Sequence, residues 1–410
     1  MLLGAIADDV TGATDLASVI MRAGRSVVLT MGVPVGAPPA VDAVVVATKA
    51  RTAPLDEARA MIEAAAAFLE RAGADQFYFK YCSTFDSTEE GNIGPIADLL
   101  LDRFGEEFTV CAPSYPALRR TVYEGHLFVG DQLLSDSPMR NHPLTPMHDA
   151  NLVRFLGKQT AGMVGLAPFA DVEAGEVAVR DRFGRLRADG VRMVIADAIT
   201  DGHIGTLAKA CSDLKLVTGG AALGGALAGL RPANRAASAA ASRAGGPTAL
   251  LSGSCSAMTQ AQVAEVSGHV PSYVLDPLQL ASEAAAIERA VDWAVEHARR
   301  GDFLVYSTAD ASAVRGAQSQ LGREQAAHTL ERAFARIADR LAAAGVRRFV
   351  VAGGETSGAV TQALDVRMMT FGEELAPGVP WTYTLEPQGF TLALKSGNFG
   401  GPDFFRRALL

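Results

Sequence analysis

The sequence opens on a concentration of carboxylates and hydroxyls. Ala7-Asp8-Asp9-Val10-Thr11-Gly12-Ala13-Thr14-Asp15 follows an apolar run and leads into a helical pattern. Alternation at a strand end turns Asp8 and Asp9 to opposite sides, so one can face a pocket while the other serves the backbone or a cap. Capping by Asp9 or Thr11 is the competing reading, but two Asp and two Thr in so short a loop exceed what a cap requires. A second cluster follows the run Phe77 to Cys82, in Ser83-Thr84-Phe85-Asp86-Ser87-Thr88. A lysine among aromatic strand residues is commonly a snorkelling edge residue. Followed by this many hydroxyls and an Asp, Lys80 suits a polar pocket instead. It would neutralise a carboxylate while Ser83, Thr84 and Asp86 read hydroxyl groups. Thr48-Lys49-Ala50-Arg51 supplies a further cation at the same sheet edge. Together these residues describe a site for a small polyhydroxylated acid.

A third polar stretch runs from Arg119-Arg120 through Gly125-His126 to Asn141-His142-Pro143, and its prolines keep it out of helix interiors. It reads as a fixed excursion over the site. His142 is a ligand or general base on one reading and structural on the other, with the two evenly weighted. His126, His142 and His148 lack the spacing of a zinc site, so no resident metal is expected.

The C-terminal half carries a different chemistry. Ser252-Gly253-Ser254-Cys255-Ser256, Gly353-Gly354-Glu355-Thr356-Ser357-Gly358 and Ser396-Gly397-Asn398-Phe399-Gly400 each follow an apolar run. Glycines let backbone N–H groups approach an anion, and helix N-termini present positive dipole ends, so such loops can cradle phosphates. There is no Gly-x-x-x-x-Gly-Lys-Ser/Thr loop, and Thr218 to Gly225 only approximates Gly-x-Gly-x-x-Gly. This argues against a P-loop kinase and a Rossmann dehydrogenase and leaves a nucleotide site of another design.

The elements that must hold these loops alternate. Strands are predicted at Leu2–Ala7, Ser26–Met31, Ala43–Thr48, Phe77–Cys82, Phe108–Ala112, Val191–Ala196, Ala249–Ser252, Phe303–Ser307 and Phe349–Gly353. Helices are predicted at Leu55–Arg71, Glu283–Arg299 and Glu324–Ala344. The fold class is therefore α/β, with mainly parallel sheets flanked by helices. In such sheets ligands bind beyond the carboxyl ends of the strands, where all of these loops lie. At 410 residues the chain has room for two or three domains. Residues 231–247, RPANRAASAAASRAGGP, hold almost nothing able to fill a core and are punctuated by Pro and Gly at both ends. We read them as a linker between a domain at 1–230 and another at 248–410; a short surface helix is the alternative.

Composition narrows the function classes. A hydrophobic share of 49%, a charged share of 20% and a net charge of −8 fit a soluble globular protein and disfavour nucleic acid as a partner. Four scattered cysteines, no basic leader and no apolar run near 20 residues point to the cytoplasm and away from membranes. Homo-oligomer formation is left open.

These residues resemble the four-carbon acid sugar kinase family across essentially the whole chain. The carriers are Ala7 to Asp15, Lys80 to Gly91, Ser252 to Ser256 and Gly353 to Gly358. Within that family, FKYCSTFDST (Phe79 to Thr88), GHLFVGD (Gly125 to Asp131), NHPLTPM (Asn141 to Met147) and LKSGNFG (Leu394 to Gly400) are similar to the 3-oxo-tetronate kinase branch. Threonate and erythronate kinases have Lys-Asp-Ser-Thr-Leu-Arg-Gly character where this chain has Cys82 to Phe85. The resemblance implies an N-terminal acid-sugar domain, a C-terminal ATP domain and an active site in the cleft between them. It implies transfer from ATP to the 4-hydroxyl of 3-oxo-tetronate. By carry-over, ATP would contact Ser254 or Ser256, Gly353, Gly354, Glu355, Thr356, Ser357 and Gly397. One departure stands at Ala117-Leu118-Arg119-Arg120, where Asn-Gly is more usual before the matched Arg120, and it bears on local loop geometry.

On that basis Asp9, or its neighbour Asp8, is expected to orient or deprotonate the terminal hydroxyl. Lys80 and Arg51 are expected to hold the substrate carboxylate, with Ser83, Asp86, Arg120 and His142 on the other oxygens. Mg²⁺ would arrive with ATP, since it is commonly held by few protein ligands plus phosphates. Three rivals remain: a threonate or erythronate kinase, a non-catalytic acid-sugar sensor, and an NAD-dependent dehydrogenase built on the loop at Gly219.

Overall fold

The computed structural model describes residues 2–34, 36–141, 145–233, 244–309, 311–385, 389–395 and 397–410. His142 and the interior of the expected linker, 234–243, lie outside the described residues. The chain divides into two compact units, Met1–Ala239 and Ala240–Leu410.

In the first unit β1 (Leu2–Ala7), α1 (Val10–Arg22), β2 (Val27–Met31), β3 (Ala43–Ala47), α2 (Leu55–Arg71), β4 (Ala74–Lys80), α3 (Ile93–Phe104) and β5 (Thr109–Ala112) follow in turn. Three short antiparallel strands come next, β6 (Arg120–Tyr123), β7 (His126–Val129) and β8 (Gln132–Leu133). The unit is completed by α4 (Leu152–Leu156), β9 (Met163–Ala167), α5 (Phe169–Glu173), α6 (Glu176–Ala188), β10 (Val191–Ala196), α7 (Asp201–Ala210), β11 (Leu216–Gly219) and α8 (Ala221–Leu230). Its main sheet runs β2-β3-β1-β4-β11-β5-β10-β9, and every neighbouring pair is parallel. Parallel strands covered on both faces read as unbroken apolar runs, and all five residues of β3 are buried.

The glycines of Thr218 to Gly225 have a packing role. A Cβ on Gly224 would lie 2.6 Å from Leu16 Cδ1, and one on Gly225 would lie 2.2 Å from Val19 Cγ1, so α8 sits directly against α1. Cβ atoms on Gly219 and Gly220 would strike the carbonyls of Ala112 and Pro113 at 2.3 and 2.4 Å. These glycines are filled by protein, which removes the sequence feature on which the dehydrogenase rival stood.

The second unit holds β12 (Thr248–Ser252), α9 (Ala257–Ser267), β13 (Ser272–Val274), α10 (Pro277–Ser282), α11 (Ala286–Ala298), β14 (Phe303–Tyr306), α12 (Ala311–Leu321) and α13 (Arg323–Ala343). It continues with β15 (Arg348–Ala352), α14 (Gly354–Ala363), β16 (Met368–Ala376), β17 (Val379–Thr384), β18 (Thr391–Lys395) and α15 (Phe404–Leu409). Strands β13-β14-β12-β15-β18 are parallel, and β17 and β16 extend them antiparallel. The α/β class with mainly parallel sheets is thus observed, with an antiparallel margin that the sequence did not announce. Among the described residues no helix is long and apolar enough to cross a membrane.

Candidate active site

Strand register gathers the first cluster. Ala7 pairs with both Ala47 and Lys80, so the chain leaving β1, β3 and β4 emerges along one edge. The Asp8 N–H donates to the Lys80 carbonyl at 3.0 Å, and the Asp8 carbonyl accepts from the Arg51 N–H at 3.1 Å. Three loops are therefore stitched together by backbone before any side chain is considered.

Arg51 is the hub of the side chains. Its Nε and Nη2 donate to the two oxygens of Asp8, each at 2.9 Å. Its Nη1 lies 2.9 Å from Asp9 Oδ2 and 3.8 Å from Asp86 Oδ2. A planar guanidinium matches a carboxylate in this two-pronged way, which fixes orientation as well as charge. Burial works to lower the Arg51 guanidinium and is outweighed by Asp8 and Asp9, which raise it and keep it charged. Burial likewise pushes the Asp8 carboxyl up, against the pull of Arg51. Asp9 has a double engagement: its Oδ1 accepts the Gly12 N–H at 2.7 Å and caps α1, while Oδ2 turns to Arg51. The cap and the Arg51 contact are thus made by the two oxygens of one side chain.

Lys80 is buried at 2% exposure and donates to the Tyr81 carbonyl at 2.8 Å. It reaches the first turn of α1, where a Cβ on Gly12 would lie 3.1 Å from Nζ and 2.5 Å from Asp9 Oδ1. Gly12 therefore admits the lysine beside Asp9. Asp15, quoted in the motif but given no role from sequence, lies farther along α1. Burial raises its carboxyl while Lys80 and Arg22 oppose the shift, and it makes no hydrogen bond or ion pair among the described residues.

The loop after β4 is held from several sides. Thr84 donates to Asp86 Oδ1, and Gln159 donates to Ser87 Oγ at 2.9 Å while accepting from the Gly94 N–H at 2.9 Å. Asn92 donates to the Ala50 and Ala53 carbonyls at 2.6 and 2.9 Å, joining this loop to the one that carries Arg51. Phe85 adopts φ 54 while fully buried, its ring edge-on to Tyr81 at 5.2 Å. A bulky side chain pays for that backbone geometry, and packing holds Thr84 and Asp86 on either side of it. Ser83 is half-buried in the turn just before. Asp8, Arg51, Asp86, Ser87 and Asn92 line one narrow cleft.

Arg120 is not drawn into this group by any hydrogen bond or ion pair among the described residues. It begins β6, and its Nη1 donates to the Leu118 carbonyl. Arg119 takes φ 56, the conformation that glycine supplies without strain, within the Ala117–Arg120 stretch whose loop geometry the sequence put in question. The excursion itself is fastened by Asp197, whose carboxylate accepts the N–H groups of Glu124, Gly125 and Phe169 at 2.6, 2.9 and 2.8 Å.

The second unit builds its cluster at the carboxyl ends of β12, β15 and β18. Ser256 caps α9 by accepting the Thr259 N–H at 3.2 Å and donates to the Gly397 carbonyl at 2.7 Å. Thr259 Oγ1 lies 2.8 Å from the same carbonyl and 3.2 Å from Ser254 Oγ. Glycines permit this closeness: Cβ atoms on Gly253 and Gly397 would meet Thr356 Oγ1 at 2.1 Å and Ser254 Oγ at 2.7 Å. Gly353 stands at φ 119 and precedes α14, whose N-terminus has no side-chain cap. Gly354 borders open space and Glu355 is exposed, while Thr356 is buried and the buried Ser357 Oγ has no partner among the described residues. Open N–H groups at a helix N-terminus, ringed by hydroxyls, form a fitting receptor for phosphate oxygens.

Sequence reasoning passed over Lys395. It is 1% exposed and donates to Thr259 Oγ1 at 3.0 Å and to the Gly397 carbonyl at 2.9 Å. Burial lowers its ammonium to about 8. The signal was present as a lysine closing the apolar strand Thr391–Lys395, the same pattern that singled out Lys80. Among the described residues no group of three or more His, Cys, Asp or Glu could hold a metal ion.

Two family models match the chain in turn. Residues 3–227 match the Sugar-binding N-terminal domain family and residues 249–405 the Nucleotide-binding C-terminal domain family. The chain is 49% identical to the 3-oxo-tetronate kinase of Cupriavidus necator and 50% identical to that of Burkholderia multivorans, covering 100% of this chain and 96% of each relative. A crystal structure of a Haemophilus influenzae protein superposes with a TM-score of 0.90 at 43% identity, over 99% of this chain and 98% of the other.

Proposed function

The chain belongs to the four-carbon acid sugar kinase family, and from that premise we propose that it is an ATP-dependent 3-oxo-tetronate kinase. The γ-phosphoryl group of ATP passes to the terminal 4-hydroxyl, giving ADP and 3-oxo-tetronate 4-phosphate. The observation that carries this reading is full-length identity of 49–50% to 3-oxo-tetronate kinases, spanning both the carboxylate-rich cluster and the glycine-hydroxyl cradle.

In this reading the first unit binds the acid and the second the nucleotide. Lys80, buried beside Asp9, attracts the substrate carboxylate. Arg51, already committed to Asp8 and Asp9, holds that acidic pair in place rather than offering a free fork to the substrate. Asp9 is better suited than Asp8 to receive the hydroxyl proton, because both Asp8 oxygens are clamped while Asp9 offers Oδ2 to a single cation. Ser83, Asp86, Arg120 and His142 are assigned to the remaining oxygens. The 4-oxygen attacks the γ-phosphorus, its proton goes to Asp9, and the bond from phosphorus to the ADP oxygen breaks. Ser254 or Ser256, Gly397 and Gly353 to Ser357 receive the phosphates. Mg²⁺ is assigned to the nucleotide substrate, held mostly by phosphate oxygens as this ion commonly is.

The test is the identity of the product. Incubation with MgATP and 3-oxo-tetronate is expected to give one equivalent of ADP per phosphate ester, with ³¹P coupling to the C4 methylene protons. Coupling to a C2 proton, or ADP without ester, contradicts the reading.

A further inference from the structure

We infer that Lys395 is the positioning residue of the nucleotide site: it pins the glycine loop after β18 onto the first turn of α9 and so sets the shape of the phosphate cradle. The inference rests on the reading of the second unit as the nucleotide-binding one. Three donors converge on the Gly397 carbonyl: Ser256 Oγ at 2.7 Å, Thr259 Oγ1 at 2.8 Å and Lys395 Nζ at 2.9 Å. Lys395 also donates to Thr259 Oγ1 at 3.0 Å, so one ammonium grips both the loop and the helix. The side chain passes Phe404 of α15, its Nζ 5.8 Å from the ring centre, and at 1% exposure it has little freedom to swing elsewhere. Gly397 is in turn pressed on Ser254 and Ser256, since a Cβ there would lie 2.7 and 3.0 Å from their hydroxyl oxygens. Displacing the loop therefore displaces the serines assigned to ATP.

The charge is as telling as the contacts. Thr259 is the third residue of α9, so Lys395 places a cation at the positive end of a helix dipole. Cations are disfavoured there and anions favoured. Lysine and dipole reinforce each other as a field for phosphate, while the carbonyl of Gly397 and the hydroxyl of Thr259 keep the ammonium solvated by protein.

Steady-state kinetics on three variants test this. Lys395→Met keeps the length of the side chain and removes its charge and donors; Thr259→Val removes the hydroxyl at constant shape; the third combines them. Each single change is expected to raise the KM for ATP about tenfold or more, the scale of a lost charged hydrogen bond. The KM for the four-carbon acid should stay within about twofold, and the double variant should resemble a single one because both act through one network. A lysine that merely stabilised the fold would not divide the two KM values in this way. An ATP KM within twofold of wild type in Lys395→Met overturns the inference while leaving the kinase reading intact. Should Lys395→Met fail to fold, Thr259→Val decides by the same criterion. Wild-type protein that neither binds nor uses ATP overturns the underlying reading and the inference with it.

Discussion

At the scale of single residues the account turns on how one arginine distributes three carboxylates. Asp8, Asp9 and Asp86 all face Arg51, yet Asp8 takes two donors, Asp9 one, and Asp86 stands off at 3.8 Å. That hierarchy makes Asp9 the group to change. Asn is as good a helix cap as Asp, so Asp9→Asn can keep the bond to the Gly12 N–H while losing basicity. The variant is expected to lose about 100- to 10,000-fold in kcat, with the KM for the acid altered by no more than a few fold and the melting temperature nearly unchanged. Near-wild-type kcat would move the proton acceptor to Asp8, Asp86 or Asp15. Much of this cluster was legible from residue types: strand-end carboxylates, a lysine in an aromatic strand, a cation after β3. The pairing was not, because the contact of Arg51 with Asp8 spans 43 positions and depends on the register of β1 against β3. Arg51 consequently reads as a substrate ligand in sequence and as an ion-pair hub in space.

At the scale of elements, the glycines divide into two kinds that sequence cannot tell apart. Gly253 is filled by Thr356, whereas Gly354 at the start of α14 faces open space. Gly253→Ala is therefore expected to lower the melting temperature by several degrees through overpacking. Gly354→Ala is neutral to slightly stabilising, by about 0.4–1 kcal/mol, yet raises the KM for ATP if phosphate approaches the α14 N-terminus. Thermal melts beside ATP titrations check both. An unchanged ATP KM in Gly354→Ala would remove that turn from the site. The same ambiguity explains the approximate dinucleotide fingerprint at Thr218 to Gly225, whose glycines serve packing of α8 on α1 and of β11 on β5. Elements with a strong period were legible, and α2 forms over Leu55–Arg71 as expected. Several of the strands missed were short or interrupted. β11 has four residues ending in glycine, β6 to β8 are half-exposed, and β16 carries Gly372, Glu373 and Glu374 within its span. None of them shows the apolar run or clean alternation on which strand recognition depends.

At the scale of the whole molecule, the division of labour follows from where each parallel sheet ends. One sheet terminates in acids and cations suited to a small hydroxy acid, the other in glycines, hydroxyls and helix N-termini suited to phosphates. Kinase chemistry needs both, and the full-length likeness to 3-oxo-tetronate kinases supports the acceptor. The acceptor is also where the central claim is most exposed. Its most direct test is ADP release with MgATP against 3-oxo-tetronate, D-threonate, D-erythronate and L-threonate, beside a control without acid. The account predicts turnover above the control with the oxo-acid alone. Turnover confined to a threonate or erythronate would contradict the acceptor, and no ADP above the control with any of the four would contradict the kinase itself.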